Sequence, residues 1–593
     1  MLAYLRPYLP FTDLSEMDGS TLRGDLVAAI AVTVMSVPQG VAYALIAGLP
    51  PVMGLYAGAL PAIIGSLFRS SRHVVTGPTN SLSLLMATSA AAQFDDPAAA
   101  AIALALLVGV FQLGAGLLKL GGLVDYISTA VVTGYITGAG VLIGVGQLPN
   151  ITQTDSMKGT IVHRLWGWAQ GAADADLTSV ALGLGTAVAI LGIRRIAPKG
   201  VGALVAIGGG IVLSWTLDLG GLGVTLVRDL APVPSALPPI TVPHLDHLSE
   251  LVPVAIAAMV LSLVESTSVA RALAAKSGQR LDVSAEFTGM GLANIAAAFF
   301  GAYPVSGSLS RSALNHRAGA HTRLAGMLSG AAMLLVLLFF GPVVDHTPIP
   351  SLAGLLLVVA YDLVDVSTIK HLLKGGHQDR FAFLGTVVGT WALPLDQAIY
   401  LGVGISIVLF LRRARLLMVR ELWIDEDLRL HEVDPDGAVP ERLTHCRHIH
   451  ILHIEGPLFF GAANELNDAL HREMANPEVK VLIVRLKRAQ GLDFTTGSVL
   501  TQAYDAMQSQ GRHLILVGMR EAMMTRMENI GVVEEIADDD LFPTQPGWFV
   551  AMNEAMARAL ELVGDEHSDD TDCHRCPVVR YVEYRQGRPR MVR

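Results

Sequence analysis

Hydrophobic residues follow one another in runs of about 20 along the first 413 residues of this chain, and short polar connections separate the runs. An α-helix of that length crosses a hydrocarbon layer about 30 Å thick. The pattern predicts an α-helical polytopic membrane protein with about fourteen spanning segments, several of them too short to cross alone. The predicted segments lie at residues 25–46, 52–68, 78–92, 98–120, 124–146, 178–193, 200–217, 250–271, 284–300, 306–318, 323–342, 351–367, 380–394 and 396–413.

Lysine and arginine are distributed unevenly over the connections between these segments. Cytoplasmic connections of membrane proteins are enriched in both residues. Connections that would lie inside carry Arg69, Arg72, Lys119, Arg194, Arg195, Lys199, Arg271, Lys276, Arg280, Arg317, Arg323, Lys370, Lys374, Arg380, Arg412, Arg413, Arg415 and Arg420. The opposite connections are almost bare and hold Lys158, Arg164 and Arg228. The distribution predicts an even number of segments with both termini cytoplasmic.

Composition narrows the class of protein further. Charged residues are 16% of the chain and hydrophobic residues 52%, whereas soluble proteins carry roughly 25% charged residues. Residues 1–24 contain Pro7, Pro10 and Asp13 before the first apolar run, so we interpret them as a cytoplasmic segment and not a signal peptide. Three cysteines in 593 residues exclude a disulfide framework.

Two stretches interrupt the apolar pattern with glycine, proline and small polar residues. Residues 301–314 read Gly-Ala-Tyr-Pro-Val-Ser-Gly-Ser-Leu-Ser-Arg-Ser-Ala-Leu and include the charged Arg311. Residues 73–85 read His-Val-Val-Thr-Gly-Pro-Thr-Asn-Ser-Leu-Ser-Leu-Leu. Non-helical backbone survives at membrane depth only where protein or water satisfies its amide groups. Two such breaks in corresponding places of two halves indicate a transporter binding site.

A matched spacing connects these breaks to two polar residues inside apolar helices. Gln39 lies 39 residues before Pro78, and Glu265 lies 39 residues before Pro304. Seven segments in each half would give the halves opposite orientations in the membrane. The spacing therefore favours a 7+7 inverted repeat.

The chain changes character after the last apolar run. We predict a transmembrane domain at residues 25–415, a polar linker at 416–445, a small cytoplasmic α/β domain at 446–560 and a poorly ordered tail at 561–593. The α/β prediction rests on short β-rich runs at 449–455, 479–485 and 513–518, with helical patterns at 462–474 and 497–510 between them. The tail is charged and poor in aliphatic residues.

Four sequence motifs together resemble the sulfate permease (SulP) family, also called solute carrier family 26. They are Val37-Pro-Gln-Gly-Val-Ala-Tyr-Ala44, Ala47-Gly-Leu-Pro-Pro-Val-Met-Gly-Leu-Tyr56, Ser71-Arg-His-Val-Val-Thr-Gly-Pro78 and Pro304-Val-Ser-Gly-Ser-Leu-Ser-Arg-Ser312. With the soluble part, the resemblance covers about residues 10–560. It implies a core domain that moves against a gate domain, a C-terminal STAS domain and a homodimer.

The resemblance also implies an anion site built from the first, third, eighth and tenth segments. Its substrate-binding positions correspond here to Gln39, Tyr43, Thr79, Asn80, Ser308, Leu309, Ser310 and Arg311. Helix N-termini present free N–H groups to an anion, hydroxyls and amides add neutral donors, and the Arg311 guanidinium suits an oxyanion. The alternatives are helix–helix hydrogen bonds for the polar residues, ordinary packing for Tyr43, and snorkelling or an ion pair for Arg311.

Glu265 corresponds to the acidic position of the eighth segment in that family. A carboxylate at membrane depth costs about 2.5–3.5 kcal/mol on insertion scales, so it indicates a function. We predict that Glu265 couples transport to protons. Sodium is the alternative, with Ser268 and its neighbours Ser266 and Thr267 as oxygen ligands. An ion pair between Glu265 and Arg311 is the structural alternative.

The soluble domain carries weaker signals. Residues 455–461 resemble the first-strand turn of STAS domains, and residues 492–497 resemble a loop that can be phosphorylated in bacterial relatives. Phe494 separates Asp493 from Thr495, which puts a phosphoswitch in doubt. Folding, dimer contact or docking of a cytosolic partner are the alternatives. Cys573 and Cys576 supply at most half of a zinc site, so we expect no metal and no cofactor.

These features predict a secondary active anion transporter of a bacterial inner membrane, and not an enzyme or a nucleic-acid-binding protein. The expected substrate is an inorganic oxyanion, sulfate or bicarbonate, coupled to H⁺. The alternatives are a sodium-coupled bicarbonate transporter, a proton-coupled dicarboxylate transporter, and an uncoupled exchanger or channel. A membrane-anchored scaffold and a nucleobase carrier agree less well with the broken segments and with Arg311.

Overall fold

The computed structural model describes residues 18–155, 159–196, 201–244, 246–434, 440–547, 549–564 and 576–585. The chain divides into two compact units, one ending at Ile407 and the other beginning at Val408. Each unit is described on its own below.

The first unit is helical. Its helices, including one that runs on past Ile407, are α1 (Gly19–Ile46), α2 (Pro51–Ala57), α3 (Leu60–Phe68), α4 (Asn80–Thr88), α5 (Pro97–Leu117), α6 (Thr129–Gly146), α7 (Leu148–Thr152), α8 (Ile161–Gly171), α9 (Leu177–Ile193), α10 (Val201–Leu217), α11 (Val227–Leu230), α12 (Leu248–Ser277), α13 (Val283–Phe299), α14 (Leu309–Arg317), α15 (Leu324–Asp345), α16 (Ile349–Leu363), α17 (Val366–Lys374), α18 (His377–Ala392) and α19 (Leu395–Ala414).

Eight helical segments of the described chain are long and apolar enough to cross a membrane. They are Gly19–Ile46, Pro51–Phe68, Pro97–Leu117, Thr129–Thr152, Leu248–Ser277, Leu324–Asp345, Ile349–Lys374 and Leu395–Ala414. Each of the fourteen segments predicted from sequence coincides with a helix or with consecutive helices. The predictions at 78–92 and 306–318 coincide with α4 and α14, which have only nine residues each.

The helix contacts repeat after seven predicted segments. Segment four packs along segment nine, and segment eleven packs on segment two. Segment one packs on segment eleven, and segment eight packs in the same way on segment four. Segment five packs on segment thirteen, and segment twelve packs in the same way on segment six. An exchange of the two halves therefore leaves the packing pattern unchanged, as a 7+7 repeat requires.

The connections predicted to be cytoplasmic meet one another at one end of this unit. The backbone N–H groups of Ser70 and Ser71 donate to Glu286 Oε1 at 2.9 and 2.6 Å. The side chain of Arg323 donates to the carbonyl of Arg69 at 2.8 Å. Alternate connections thus share one end of the helices, which agrees with the predicted up-and-down path of the chain.

The second unit is an α/β domain built on one mixed sheet. Its strands are β3 (Met418–Asp425), β4 (Leu430–Val433), β5 (Leu443–Thr444), β6 (Ile449–Pro457), β7 (Val481–Gln490), β8 (His513–Met519) and β9 (Leu541–Pro543), whereas the two-residue strands β1 (Thr76–Gly77) and β2 (Ser306–Gly307) belong to the first unit. The strand order is β4-β3-β6-β7-β8-β9, with β5 beside β3. Strands β6 to β9 are parallel, and β3 is antiparallel to its neighbours.

Helices cover both faces of this sheet. They are α20 (Ala463–Met474), α21 (Phe494–Gln508), α22 (Glu521–Asn529), α23 (Val532–Glu535), α24 (Val550–Val563) and α25 (Pro577–Arg585). Successive residues of each strand point to opposite faces of the sheet and belong to two separate apolar clusters. Leu482 and Leu514 pack with α20 and α21 on one face, and Ile483 and Ile515 pack with α24 and α25 on the other.

Two predictions for this part of the chain are wrong. The expected linker at 416–445 forms β3, β4 and β5 of the sheet, with Leu422 and Ile424 in its core. The expected disorder of the tail does not hold for Pro577–Arg585, because Tyr581 is only 1% exposed in the same core. The polar residues that suggested a linker are partly exposed residues of β3, which alternate with Leu422 and Ile424, or lie in β4, β5 and the connections between the strands. Residues 565–575 and 586–593 lie outside the described residues.

Candidate functional site

The two breaks predicted from sequence lie against each other inside the first unit. Strands β1 and β2 pair antiparallel, Thr76 opposite Gly307 and Gly77 opposite Ser306. Helices α4 and α14 begin directly after these strands. Thr79 and Ser308 occupy the N-cap positions, and neither side chain caps its helix. The first-turn N–H groups of both helices are therefore left for another acceptor.

Arg311, in the first turn of α14, is a buried cation, 1% exposed. Its Nη2 donates to the carbonyl of Pro78 at 2.6 Å. Its guanidinium lies so close to Gly77 that a Cβ there would come within 2.7 Å of Nη1. Within the described residues its Nε has no hydrogen-bond partner, and no carboxylate forms a salt bridge with it.

Glu265, in the middle of α12, binds to the start of α4. Thr79 donates its hydroxyl to Oε2 at 3.3 Å, and Ser81 donates to Oε1 at 3.2 Å. Glu265 and Arg311 interact electrostatically but form no salt bridge within 4.0 Å. The two charges share the same interior without neutralising each other by direct contact.

Gln39 and Tyr43 lie one turn apart on α1, and both are 4% exposed. The Oε1 atom of Gln39 has no hydrogen-bond partner among the described residues. Helix α1 packs against both α4 and α14, and α12 packs against the same two helices. The first, third, eighth and tenth segments therefore converge, as the sequence analysis expects of the site.

The other predicted residues differ in their placement. Ser308 is buried, and its hydroxyl lies 3.4 Å from that of Ser310. Asn80 is also buried. Leu309 has a side chain that is 63% exposed, so only its backbone N–H belongs to the first turn of α14. Ser268 is exposed on α12 and makes no described contact with Glu265.

A supporting network was missed by the sequence analysis. Asn294 on α13 donates to the carbonyl of Val305 at 3.0 Å and accepts from its N–H at 2.7 Å. It also donates to Gln112 Oε1 at 2.8 Å. Ser262 donates to the same Val305 carbonyl at 3.2 Å, and Ser306 donates to the carbonyl of Ser262 at 3.1 Å. These polar residues fix the backbone before β2, and their position inside apolar helices was the available signal.

The soluble unit shows what the weaker motifs do. Asp493 caps α21 by accepting from the N–H and the hydroxyl of Thr496, both at 2.9 Å, and it also accepts from Phe460 N–H. Thr496 is fully buried. The loop therefore has a structural role as a helix cap joined to the turn after β6.

The described cysteines form a buried pair on one face of the sheet. Cys446 and Cys576 are each 3% exposed, and Cys573 lies outside the described residues. A hydrogen bond between the two thiols raises the pKa of Cys446 and lowers that of Cys576 to about 7. The described residues contain no cluster of three or more histidine, cysteine or acidic side chains that could hold a metal ion.

Comparison with known proteins identifies the family of each part of the chain. Residues 22–386 match the Sulfate permease family, and residues 442–546 match the STAS domain. "Probable sulfate transporter 4.2" of Arabidopsis thaliana is 28% identical over 544 residues, 87% of this chain and 79% of that protein. "Putative sulfate transporter YvdB" of Bacillus subtilis is 26% identical over 523 residues, 87% and 95% of the two chains.

Solved structures share the fold. The structure described as SLC26A9 has a TM-score of 0.85 at 18% identity, covering 96% of this chain and 95% of that one. The transmembrane domain of the cyanobacterial bicarbonate transporter BicA has a TM-score of 0.56 at 21% identity, covering 66% and 98%. The family match spans more than half of the chain and agrees with the broken helices and the C-terminal sheet. The chain belongs to the sulfate permease family of multi-pass membrane anion transporters, is not an enzyme, and carries a C-terminal STAS domain.

Proposed function

We propose that this protein is a secondary active transporter of an inorganic oxyanion, sulfate or bicarbonate, which binds between the N-termini of α4 and α14. The observation that carries the proposal is Arg311, a buried guanidinium with no carboxylate in salt-bridge contact among the described residues. A buried charge without a counter-ion is costly. A bound anion would supply the missing charge and accept from the uncapped helix turns.

Neutral donors complete this proposed site. The hydroxyls of Ser308 and Ser310 and the amide of Gln39 come from α14 and α1, and the Thr79 hydroxyl, which donates to the Glu265 carboxylate, would become available to the anion when Glu265 is protonated. Asn80 and Leu309 would contribute the backbone N–H groups of the first helical turns. Tyr43 would close the site from α1. Together these groups suit a small oxyanion that has lost its water.

Glu265 is the proposed coupling group for protons. Its carboxyl group has hydroxyl partners and no salt-bridge partner in the described chain, so a bound proton removes a charge that is expensive to bury. A nearby substrate anion adds to that preference by repulsion. The protonated form would accompany the loaded site, and release of the proton would accompany the release of the anion.

Three features bear on the choice among the alternatives. Sodium coupling would need oxygen ligands beside Glu265. Ser266 and Thr267 are buried and have hydroxyls without partners among the described residues, whereas Ser268 is exposed. The names of the relatives favour sulfate, and BicA favours bicarbonate as the substrate class. A passive channel has no need of a titratable group at the site.

Uptake into liposomes tests the proposal directly. Purified protein would be reconstituted and supplied with sulfate, bicarbonate, a dicarboxylate or a nucleobase, under an imposed proton or sodium gradient. We expect accumulation of sulfate or bicarbonate driven by the proton gradient. Accumulation driven only by sodium would contradict the role of Glu265, and transport of the nucleobase alone would contradict the anion site.

The assembly and the orientation are parts of the same proposal. We expect a homodimer in the plasma membrane, with both termini and the STAS domain on the cytoplasmic side, where the domain could dock a cytosolic partner. The positive charges of alternate connections support this orientation.

A further inference from the structure

Two cysteines that are far apart in the sequence meet inside the soluble unit. Cys446 lies in the connection between β5 and β6, and Cys576 directly precedes α25. Both are 3% exposed and belong to the same apolar cluster. Their thiols are hydrogen-bonded to each other. A disulfide requires two side chains that point towards each other at short range, and thiols in direct contact meet that requirement.

The sulfur of Cys576 also lies at the N-terminus of α25. The carbonyl of Cys576 accepts from the N–H of Arg580 at 3.2 Å, as the residue before a first helical turn does. Pro577 has no N–H, so Val578 and Val579 supply the first free donors of the helix. Both N–H groups are hydrogen-bonded to the Cys576 sulfur. Such a position at a helix N-terminus stabilises the thiolate form of cysteine.

The two thiols differ in acidity. The hydrogen bond from Cys446 contributes most to lowering the pKa of Cys576 to about 7; burial opposes this effect and the two backbone donors add to it. The same thiol–thiol hydrogen bond, and then burial, raise the pKa of Cys446. The thiolate is the nucleophilic form of cysteine. Cys576 is therefore the attacking sulfur of the pair, and Cys446 is the sulfur that keeps its proton.

Packing of α25 decides when these sulfurs can react. The helix has nine residues and is held on the sheet through Val578, Tyr581 and Val582. Isolated helices shorter than about 12–15 residues are marginally stable in water, so α25 can detach locally while the strands stay paired. Ordinary packing of small apolar side chains explains the burial of two cysteines, but it does not explain the two backbone donors at the Cys576 sulfur.

We propose that Cys446 and Cys576 are a redox-active dithiol that a hydroperoxide oxidises to a disulfide, which ties α25 covalently to the segment leading into β6. This dithiol lies in the soluble unit and takes no part in the transport site. For a domain on the cytoplasmic side, as proposed above, the reduced pair is the resting state, because disulfides inside cells are mostly transient and redox-sensing.

The oxidation has two steps. The Cys576 thiolate attacks one oxygen of the hydroperoxide, and the O–O bond breaks. The departing oxygen takes the proton that Cys576 had released and leaves as an alcohol or as water, while Cys576 becomes a sulfenic acid. The Cys446 sulfur then attacks the sulfenic sulfur. The S–S bond forms as the S–O bond breaks, and the hydroxide leaves with the Cys446 proton as water. The two sulfurs lose two electrons, and the hydroperoxide gains them.

A dithiol reductant reverses the reaction by thiol–disulfide exchange. Its thiolate attacks one sulfur of the disulfide and forms a mixed disulfide, which the second thiol of the reductant resolves. Both cysteines of the protein are then thiols again, and the reductant leaves as its own disulfide. The state of α25, free to detach or tied to the sheet, thus follows the supply of peroxide and reductant.

Peptide mapping of the full-length protein in neutral detergent tests the proposal. The reduced protein is treated with hydrogen peroxide, free thiols are alkylated with N-ethylmaleimide in denaturant, and tryptic peptides are identified by mass spectrometry. Cleavage after Arg575 separates Cys573 from Cys576. We expect a disulfide between the peptides 443–447 and 576–580, and its loss after treatment with dithiothreitol.

Hydrogen exchange supplies an independent measurement. Amide groups of α25 should exchange at least about tenfold more slowly in the oxidised protein than in the reduced protein, because the disulfide limits how far the helix can separate from the sheet. Peroxide should not slow this exchange in Cys446→Ser.

Two single variants identify the roles of the cysteines. Cys446→Ser keeps a small hydrogen-bonding side chain but cannot resolve the sulfenic acid, so dimedone should label Cys576 after peroxide treatment. Cys573→Ser leaves the proposed pair intact and should form the disulfide as the unaltered protein does. In the unfolded protein, the pairing should change to Cys573 with Cys576, since closure of the shorter loop costs less entropy.

Three results would overturn the proposal. The first is full alkylation of both thiols after peroxide treatment of the folded protein. The second is a disulfide between Cys573 and Cys576 in the folded protein. The third is the absence of dimedone labelling in Cys446→Ser.

Discussion

Arg311 and Glu265 are the two charged side chains of the candidate site, and neutral groups hold both of them. Arg311 donates to the carbonyl of Pro78, and Glu265 accepts from Thr79 and Ser81. Direct pairing would cancel both charges and leave nothing for a substrate. In the proposed mechanism, their separation leaves the guanidinium to an anion and the carboxyl group to a proton.

Removal of the guanidinium should abolish transport and spare the fold. We expect Arg311→Ala to lower anion uptake at least about 100-fold, since loss of the protein's partner in a buried pair with the bound anion costs about 2–5 kcal/mol of binding. Arg311→Lys keeps the charge but loses the planar fork and should raise the apparent KM. Radiolabelled uptake in liposomes measures both. Arg317→Ala, an exposed position on the same helix, is the matched control, and normal uptake by Arg311→Ala would remove Arg311 from the site.

Replacement of the carboxyl group separates coupling from binding. Glu265→Gln keeps two hydrogen-bonding atoms but cannot release a proton. Accumulation driven by a proton gradient should be lost, whereas exchange of anion for anion persists. The measurement is uptake against external pH, with and without internal anion. Glu250→Gln, near the start of the same helix, should behave like the unaltered protein; an unchanged pH dependence in Glu265→Gln would refute proton coupling.

Hydrogen bonds join the two non-helical breaks to each other and to the helices beside them. Val75 accepts from the N–H of Ser308 at 3.0 Å, and its own N–H donates to the Ser312 hydroxyl at 2.9 Å. Asn294 holds Val305 on the other side of β2. Backbone that is not helical is thus fully supplied with partners at these points, which is the condition for such a break at membrane depth.

Close approach at Gly77 allows an indirect test of this arrangement. A methyl group at Gly77 would lie 2.7–3.0 Å from three atoms of the Arg311 guanidinium and would displace it. We expect Gly77→Ala to raise the KM for the anion at least about tenfold, a loss of about 1.4 kcal/mol in binding. Uptake kinetics measure this change. Gly114→Ala, where a Cβ meets nothing within 4 Å, is the matched control. An unaltered KM in Gly77→Ala would show that the position of the guanidinium beside Gly77 does not affect anion binding.

The whole molecule consists of a membrane unit and a soluble unit, and each has its own apolar core. In the soluble unit, α25 closes one face of the sheet through Val578, Tyr581 and Val582. The end of the described chain is therefore part of the domain core.

Loss of this contact should loosen the sheet. Tyr581 is 1% exposed and Tyr584, on the same helix, is 61% exposed. We expect Tyr581→Ala to destabilise the domain by about 3 kcal/mol, the lower end for truncation of a buried aromatic ring. Hydrogen exchange of β6 to β8, followed by mass spectrometry, should accelerate in Tyr581→Ala and stay unchanged in Tyr584→Ala. Equal exchange in the two variants would show that α25 adds nothing to the core.

Local sequence patterns predict most of the helices and both breaks. Runs of apolar residues located the membrane helices, and the Gly-Pro and Pro-Val-Ser-Gly breaks located α4 and α14, because such residues cannot continue an apolar helix. The segment 416–445 does not show a strand pattern because polar, partly exposed residues of β3 alternate with the buried Leu422 and Ile424. Helices α8 and α17 were missed because polar residues interrupt their apolar positions.

The sequence by itself determined the class of the protein, the membrane helices, the two breaks and the set of polar residues near them, since each of these depends on residues close together in the chain. Only the tertiary structure decided which of these residues meet. The Glu265 carboxyl group accepts hydrogen bonds from Thr79 and Ser81, which lie 186 and 184 residues earlier in the chain. Arg311 donates to the carbonyl of Pro78, 233 residues earlier. Contacts over such separations depend on how the helices of the two halves pack, and no local pattern encodes that packing. Helix packing also decides that Asn294 contacts the backbone before β2 and that Leu309 and Ser268 are exposed.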